Sequence, residues 1–285
     1  MAQPELNKKL NDLKKMLLEL KSAVIAYSGG VDSTFLIKIA HDVLDGKALA
    51  ITAVSPTYPD SEAEDAIKFA KSIGIKHIVV QSNEMDNPNF VSNPSDRCYY
   101  CKTELFNICL DYAKREGINV ILDGTNADDD YDYRPGRRAA IELNVISPLK
   151  EVGLTKEEIR FLSKEMGLGS WDKPSFACLS SRFPYGTKIT LERLEMVGEA
   201  ENFLRSLGFR TFRVRYHNDI ARLELGNDES EKILNQDIRK RIIEKLKSLG
   251  FIYVTLDLEG YRTGSMNELL KKKQAPVSKQ GTENS

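Results

Sequence analysis

The segment Ser28-Gly29-Gly30-Val31-Asp32-Ser33 constrains this chain more than any other. It stands between a short apolar run at 23–27 and an amphipathic stretch at 32–44, a pattern that predicts a strand, a tight turn and a helix. Adjacent glycines let the backbone approach a ligand closely, and the helix behind them supplies free N–H groups and the positive end of its dipole. Ser28 and Ser33 add hydroxyl donors. The plainer alternative is a strand-to-helix turn capped by Asp32 or Ser33. The whole string in a strand–turn–helix context favours a phosphate-binding loop. It is not a Walker A loop, because no Gly-Lys-Ser/Thr follows the glycines.

The rest of the chain supplies the frame. Leu6, Leu10, Leu13, Leu17 and Leu20 recur at helical spacing, predicting a helix over 4–20. Strands are expected at 23–27, 48–54, 77–81, 119–123 and 145–146. They alternate with helices at 32–44, 61–73, 96–116, 137–143 and 156–167. That rhythm predicts an α/β fold, a doubly wound parallel sheet with helices on both faces. Segments 82–94 and 172–189 carry prolines and read as loops. Helices at 190–207 and 229–248 and strands at 210–216, 220–225 and 251–258 then form a smaller α+β unit. The expected division is 1–185, 186–270 and a polar, disordered tail at 271–285.

Composition excludes several classes. The 285 residues are 41% hydrophobic and 29% charged, as in ordinary soluble globular proteins. A net charge of −1 gives no reason to expect a nucleic-acid partner. No apolar run approaches a membrane span, and Met1–Asn11 lacks the apolar core of a secretion signal. A cytoplasmic location and reduced thiols follow as expectations.

Two further features carry chemistry. Asp123-Gly124-Thr125-Asn126-Ala127-Asp128-Asp129 follows an expected strand, at the sheet edge where open α/β folds bind ligands; the alternative is an Asx-rich turn. Gly124, Thr125 and Asp128 are its candidate ligand contacts. Of the four cysteines, Cys98 and Cys101 have C-x-x-C spacing in the first turn of an expected helix capped by Ser95 or Asp96. The helix N-terminus is expected to lower their pKa. Cys178 lies in the long loop, and Cys109 reads as a buried apolar residue. Three thiols suit a [4Fe–4S] cluster with one open iron better than a four-ligand zinc site, the alternative being two idle thiols at Cys98 and Cys101.

The Ser28–Ser33 string resembles the signature of the PP-loop ATP-pyrophosphatases, the family of NAD synthetase, GMP synthetase, argininosuccinate synthetase and tRNA-thiolating enzymes. The resemblance implies that ATP, with Mg2+, is cleaved between its α and β phosphates and that AMP is attached to a substrate oxygen. Ser28, Gly29, Gly30, Asp32 and Ser33 would then contact the nucleotide, with Asp32 and Cys178 the candidate catalytic residues. Over roughly 5–270 the chain resembles one branch more closely, the LarE-type sulfur transferases of nickel-pincer nucleotide biosynthesis. SGGVDS, GTNADD, PSFACLSSRFPYG, FRVRYH and LDLEGYRTGSMNE carry that likeness. It implies adenylation of a carboxylate of pyridinium-3,5-biscarboxylic acid mononucleotide and replacement of AMP by sulfur, in a homo-oligomer. In one version of the family the loop cysteine gives up its own sulfur; in the other a C-x-x-C pair joins it in holding a cluster. The pair at Cys98 and Cys101 favours the second version, with Cys178 the third ligand. The source of the sulfide is not legible.

Arg213 and Arg215 alternate along an expected strand and so face one side, a geometry suited to phosphate or carboxylates; the alternative is a solvated edge-strand face. The family match adds Glu201, Arg182, Ser181 and Arg262 as candidate substrate or interface contacts. His77 and His217 lack metal-ligand spacing, although His217 is placed to touch a substrate phosphate. Rival readings are a PP-loop tRNA thiolase, an amide-forming synthetase and a non-enzymatic ATP sensor.

Overall fold

The computed structural model describes residues 3–131, 135–174, 177–262 and 264–267. The expected tail at 271–285, and Ser175 and Phe176 of the long loop, lie outside the described residues.

The run Ala23–Ala26 forms β1, apolar at every position because both faces are covered. Val24 and Ala26 point into one core, with Leu49, Ile51, Phe106, Cys109 and Ala113. Ile25 and Tyr27 point into the other, with Leu13, Leu17, Phe35, Leu36 and Ile39. The covering elements are α1 (Gln3–Leu20), α2 (Val31–Leu44) and α3 (Asp60–Ile73) on one side of the chain order. The short α4 (Pro88–Val91), α5 (Arg97–Glu116), α6 (Gly136–Glu142), α7 (Pro148–Glu151) and α8 (Lys156–Glu165) follow. β2 (Ala48–Val54), β3 (Lys76–Gln81) and β4 (Ile121–Leu122) complete a parallel sheet in the order β3-β2-β1-β4. This is the doubly wound α/β arrangement expected from the strand–helix rhythm.

The chain therefore steps outward from β1 to β3 and then returns to the other side of β1. The switch point lies between the carboxyl ends of β1 and β4, where ligands bind in such sheets. Ser28–Ser33 and Gly124–Asp128 leave those two strands.

Several local expectations change. The strand at 119–123 contracts to Ile121–Leu122, and that at 145–146 to one parallel bridge, Leu122 to Ile146. The loop at 82–94 contains α4, started by Pro88 in its first turn and by Asn87, which accepts from the Asn89 N–H. The helix at 229–248 breaks at Asn235, whose side chain accepts from the N–H groups of Asp237 and Ile238 and so starts a new helix.

The chain divides into two compact units, 1–180 with 188–194, and 181–187 with 195 onward. The second contains most of α9 (Leu191–Ser206), β5 (Phe212–His217), β6 (Ile220–Leu225), α10 (Gln236–Ser248) and β7 (Tyr253–Leu256). β5 and β6 are antiparallel, and β7 adds to β6 in parallel. Among the described residues no helix is long and apolar enough to cross a membrane.

Candidate active site

Gly29 has φ +65°, and a Cβ there would stand 2.8 Å from the Ala66 Cβ. Both backbone conformation and space demand glycine. Gly30 is the N-cap residue of α2, so no side chain closes the helix start, and neither Asp32 nor Ser33 caps it as the plainer alternative required. The first-turn N–H groups of α2 face the carboxyl edge of the sheet without intrahelical partners. Ser33 Oγ accepts from the Ser28 N–H at 3.3 Å and lies 3.2 Å from Ser28 Oγ, drawing the loop into a closed cradle. Tyr58 Oη donates to the Ser28 carbonyl at 2.7 Å from outside it.

The second motif is packed directly on the first. A Cβ at Gly124 would lie 2.9 Å from Ser33 N and 3.0 Å from Ser33 Cα. Asp123, buried, accepts from Thr125 N and Oγ1 and from Ser147 Oγ, so Thr125 is turned back on its own loop. Asn126 Oδ1 accepts from the Asp128 N–H.

One residue that sequence reasoning missed joins the two motifs. Lys156 Nζ donates to Asp32 Oδ2 at 2.6 Å, and its backbone N–H donates to Asp128 Oδ2 at 2.7 Å. Lys156 opens α8, whose start is fixed by a capping box between Thr155 and Glu158. That box was the available sequence signal, since it places Lys156 at a helix N-terminus. Asp32 Oδ1 is buried with no hydrogen-bond partner among the described residues. Two carboxylates, an ammonium and a helix N-terminus thus converge at the switch point.

The cysteines form a second centre in the same unit. Desolvation raises the Cys98 thiol, opposed first by Arg97 and reinforced by Cys178. Cys101 is pushed well above the ordinary thiol range by desolvation, then by Cys178, Glu84 and Cys98. Cys178 thus acts on both Cys98 and Cys101, and Cys98 acts on Cys101. That direction is opposite to the lowering expected from the helix N-terminus, although Cys98 is exposed at the surface and Cys101 only half-buried. Asp96 is the N-cap of α5, but its side chain makes no capping hydrogen bond among the described residues. Among those residues no three His, Cys, Asp or Glu side chains stand at metal-ligand spacing. The sulfurs are neighbours rather than a gathered ligand set. Cys109 is fully buried in the core, and burial pushes its thiol up to about 12.

Two contacts fix the loop that carries Cys178. The Leu179 N–H donates to the Thr57 carbonyl at 2.9 Å, and Arg97 donates to the Ser180 carbonyl at 3.1 Å. Thr57 is itself set by the buried Glu84, whose carboxylate accepts from the hydroxyls of Ser55, Thr57 and Ser82. Sequence reasoning assigned no role to Arg97 or Glu84.

In the second unit the candidate anion contacts lie among carboxylates. Arg182 and Glu201 make a buried two-point ion pair, with Nε and Nη2 each 2.8 Å from a carboxylate oxygen. Glu201 also accepts from the Val214 N–H. Its carboxyl is pushed up by burial but held below the usual range by Arg182 and Arg213. Arg182 also donates to Ser181 Oγ. Arg215 is buried and donates to Glu224, to Ser265 and to the Ser181 carbonyl. Arg213 donates to the Phe212 carbonyl and the Tyr261 hydroxyl, and its guanidinium is disfavoured by burial and by Arg182. Arg182 and Arg215 thus hold their own fold together, and Arg213 is the more exposed of the strand pair. Arg262 pairs with Glu259. His77 bonds Thr52, and His217, lowered by burial and by Arg222, stays near the arginine set.

Known proteins place this geometry in context. A model of the NAD synthase family matches residues 6–93. An uncharacterized protein of Synechocystis sp. is 48% identical, over 94% of this chain and all of its own length. The pyridinium-3,5-bisthiocarboxylic acid mononucleotide synthase of Lactiplantibacillus plantarum is 40% identical, over 90% of this chain and 93% of its own. An uncharacterized protein of Methanocaldococcus jannaschii is 34% identical, over 90% and 98%. The chain belongs to the family of the pyridinium-3,5-bisthiocarboxylic acid mononucleotide synthase.

Proposed function

We propose that this member of the synthase family is an ATP-dependent sulfur transferase acting on a pyridinium carboxylate mononucleotide. The carrying observation is the junction at Lys156, which draws Asp32 and Asp128 to the open N-terminus of α2. A nucleotide triphosphate suits that arrangement: N–H groups and an ammonium for its phosphates, two carboxylates for Mg2+.

The chemistry follows from the leaving group. A carboxylate oxygen attacks the α-phosphorus, the bond to the β-phosphate breaks, and pyrophosphate departs; bound Mg2+ would neutralise its charge. The acyl carbon then carries AMP, a far better leaving group than oxide. A sulfur nucleophile attacks that carbon, the carbon–oxygen bond to AMP breaks, and a thiocarboxylate remains. Ser28, Gly29, Gly30 and Ser33 cradle the phosphates, Asp32 takes the metal, and Gly124, Thr125 and Asp128 shape the opposite wall. In the second unit Arg213 is proposed to recognise the mononucleotide phosphate. Arg215, Arg182, Glu201 and Ser181 fix the strand and loop around it.

The sulfur centre is proposed to be Cys98, Cys101 and Cys178 holding a [4Fe–4S] cluster. Three soft donors, with the positive charge of Arg97 next to Cys98 in the chain, fit such an anionic group in donor type. Held by three thiolates, a cluster supplies an iron site open to hydrosulfide. The thiols also suit a reducing compartment, and we place the enzyme in the cytoplasm on that ground. A homo-oligomer is carried over from the family likeness.

The test is anaerobic turnover with pyridinium-3,5-biscarboxylic acid mononucleotide, Mg-ATP and sulfide. Pyrophosphate release should depend on the mononucleotide, and the product should show exchange of oxygen for sulfur. Iron and labile sulfide should be lost in both Cys98→Ala and Cys178→Ala. Wild-type protein without iron, whose Cys178 loses the mass of hydrogen sulfide after turnover, would instead identify the cysteine itself as donor.

A further inference from the structure

Arg97 stands where the two arms of the thiol site meet, and nothing in the adenylation chemistry uses it. It is 5% exposed. Its Nη1 donates to the Asn93 side-chain oxygen and to the Ser180 carbonyl at 3.1 Å. Asn93 is fully buried and adopts a left-handed backbone with φ 57°, so the partner is itself rigidly placed. Ser180 lies two residues past Cys178. Arg97 also directly precedes Cys98, and its positive charge opposes the rise of that thiol. One guanidinium therefore spans the start of α5, which carries Cys98 and Cys101, and the loop that carries Cys178.

The charge balance is the second observation. Among the described residues no carboxylate forms an ion pair with Arg97, and its oxygen partners are neutral. A buried guanidinium facing only neutral groups is expensive, because little opposes the cost of its desolvation. Two lysines of the same unit, by contrast, are paired: Lys173 meets Glu62 and Asp65, and Lys9 meets Glu158. One group beside Arg97 that becomes anionic on binding a soft metal is the Cys98 thiol. Three thiolates around a soft metal or an iron–sulfur core leave net negative charge, and a bound hydrosulfide adds more.

We propose that Arg97 is a positioning residue for the thiol site, clamping the Cys178 loop to the N-terminus of α5 and compensating the negative charge of the occupied site. The proposal rests on the reading of Cys98, Cys101 and Cys178 as one site, and extends it to the residue that assembles and neutralises that site. Arginine fits the task because one planar group reaches a carbonyl and an amide and keeps its charge in a buried position.

The experiment compares full-length wild type with Arg97→Met, Arg97→Lys and Cys178→Ala. One readout is titration of the metal-free chain with Cd2+, a soft ion whose thiolate charge-transfer band reports three-sulfur binding without any cluster. The other is iron and labile sulfide per chain after anaerobic reconstitution, followed by hydrosulfide binding. Arg97→Met should bind Cd2+ about tenfold or more weakly, the usual size of a lost charge-assisted hydrogen bond, and retain correspondingly less iron. Arg97→Lys keeps the charge but not the two-way reach to Asn93 and Ser180, and should recover most of the Cd2+ affinity. That recovery separates charge compensation from loss of fold, and it carries the test if the methionine variant does not fold. Arg97→Met equal to wild type within twofold in both readouts overturns the proposal. Arg97→Lys no better than Arg97→Met, at equal thermal stability, overturns its electrostatic half. Wild type that binds Cd2+ in an Arg97-dependent manner but takes up no iron or sulfide sinks the cluster reading and leaves this proposal supported.

Discussion

Replacing Lys156 with methionine removes the ammonium that stands 2.6 Å from Asp32 while keeping most of the side-chain volume. The size of the effect can be worked from the site. Charge develops on the α-phosphoryl group as pyrophosphate leaves, and an ammonium about 4 Å away contributes about 4 kcal/mol at an effective dielectric of about 20. The Lys156 and Asp32 side chains are 30% and 21% exposed, so solvent screens part of this. A loss of about 2–3 kcal/mol remains, or about 30- to 150-fold in kcat, near the low end for removing one fixed donor to a developing anion.

Stability should respond far less. A partly exposed pair contributes about 1 kcal/mol or less, and Mg2+ replaces the lost cation beside Asp32 when nucleotide binds. The assay is pyrophosphate release at saturating Mg-ATP and mononucleotide, with thermal unfolding of the same preparation. Lys156→Arg should recover part of the rate, since it keeps the charge but changes its geometry. A Lys156→Met enzyme within threefold of wild type in kcat would refute the reasoning. So would a rate loss matched by a collapse of the unfolding temperature.

Three further outcomes follow from contacts elsewhere. Gly124→Ala puts a Cβ within 2.9 Å of Ser33 N and should weaken ATP binding tenfold or more by calorimetry. Gly46→Ala is its control: φ is +77° with nothing within 4 Å, so it should cost only about 1 kcal/mol and leave ATP affinity unchanged. Arg182→Met leaves Glu201 buried without its two-point partner and should cost about 3–5 kcal/mol in urea unfolding, partly recovered by adding Glu201→Leu. Glu229 is pushed up by burial but held below the usual carboxylate range by the Thr211 N–H, Lys232 and the Arg210 N–H. Its folded pKa lies below the unfolded value of about 4.3, so its contribution is full above that pH and is lost as pH falls through the folded pKa. Glu229→Gln should therefore be less stable than wild type at neutral pH, with the gap closing in acid. A gap of constant size down to pH 3 would count against the assignment.

The legible parts of this molecule are those governed by local chemistry. Ser28–Ser33 was readable because two glycines between an apolar run and an amphipathic run have few other uses. The parallel sheet was readable because strands alternate with helices along the chain, and β1 is apolar at every position, as a strand covered on both faces must be. Lys156 was not readable: its capping box fixes where α8 begins, but not that Nζ reaches a carboxylate 124 residues away. Arg97 directly precedes Cys98 in the chain, yet its partners are Asn93 and Ser180, and the second of these is brought to it only by the fold. The thiol pKa shifts went the opposite way to expectation for the same reason. A helix N-terminus is a local feature, whereas desolvation comes from segments distant in sequence. The arginines of β5 were correctly placed on one strand, but Glu224 sits across from them on β6, and only the folded register makes Arg215 an internal partner.

The segment Ser55–Tyr58, at the carboxyl end of β2, ties the two centres of the first unit together. Tyr58 Oη holds the Ser28 carbonyl of the phosphate cradle, and the Thr57 carbonyl holds Leu179 beside Cys178. An activated acyl group and its sulfur nucleophile must meet in one geometry, where a displacement of about 1 Å costs on the order of a hundredfold. Thr57→Val probes that link without touching the backbone contact itself. It removes the hydroxyl that donates to Glu84 at 2.9 Å and leaves a buried carboxylate with one donor fewer, a cost of about 1–3 kcal/mol concentrated in this segment. The phosphate cradle keeps its own Ser28–Ser33 closure, so pyrophosphate release should stay within threefold of wild type. Thiocarboxylate formation should fall about tenfold, because the Cys178 loop loses a fixed anchor. Both steps are read in one anaerobic reaction, as pyrophosphate and as thiolated product. An equal fall in the two would show that Thr57 supports the unit as a whole, and an unchanged ratio at full activity would show that the segment does not position the sulfur centre.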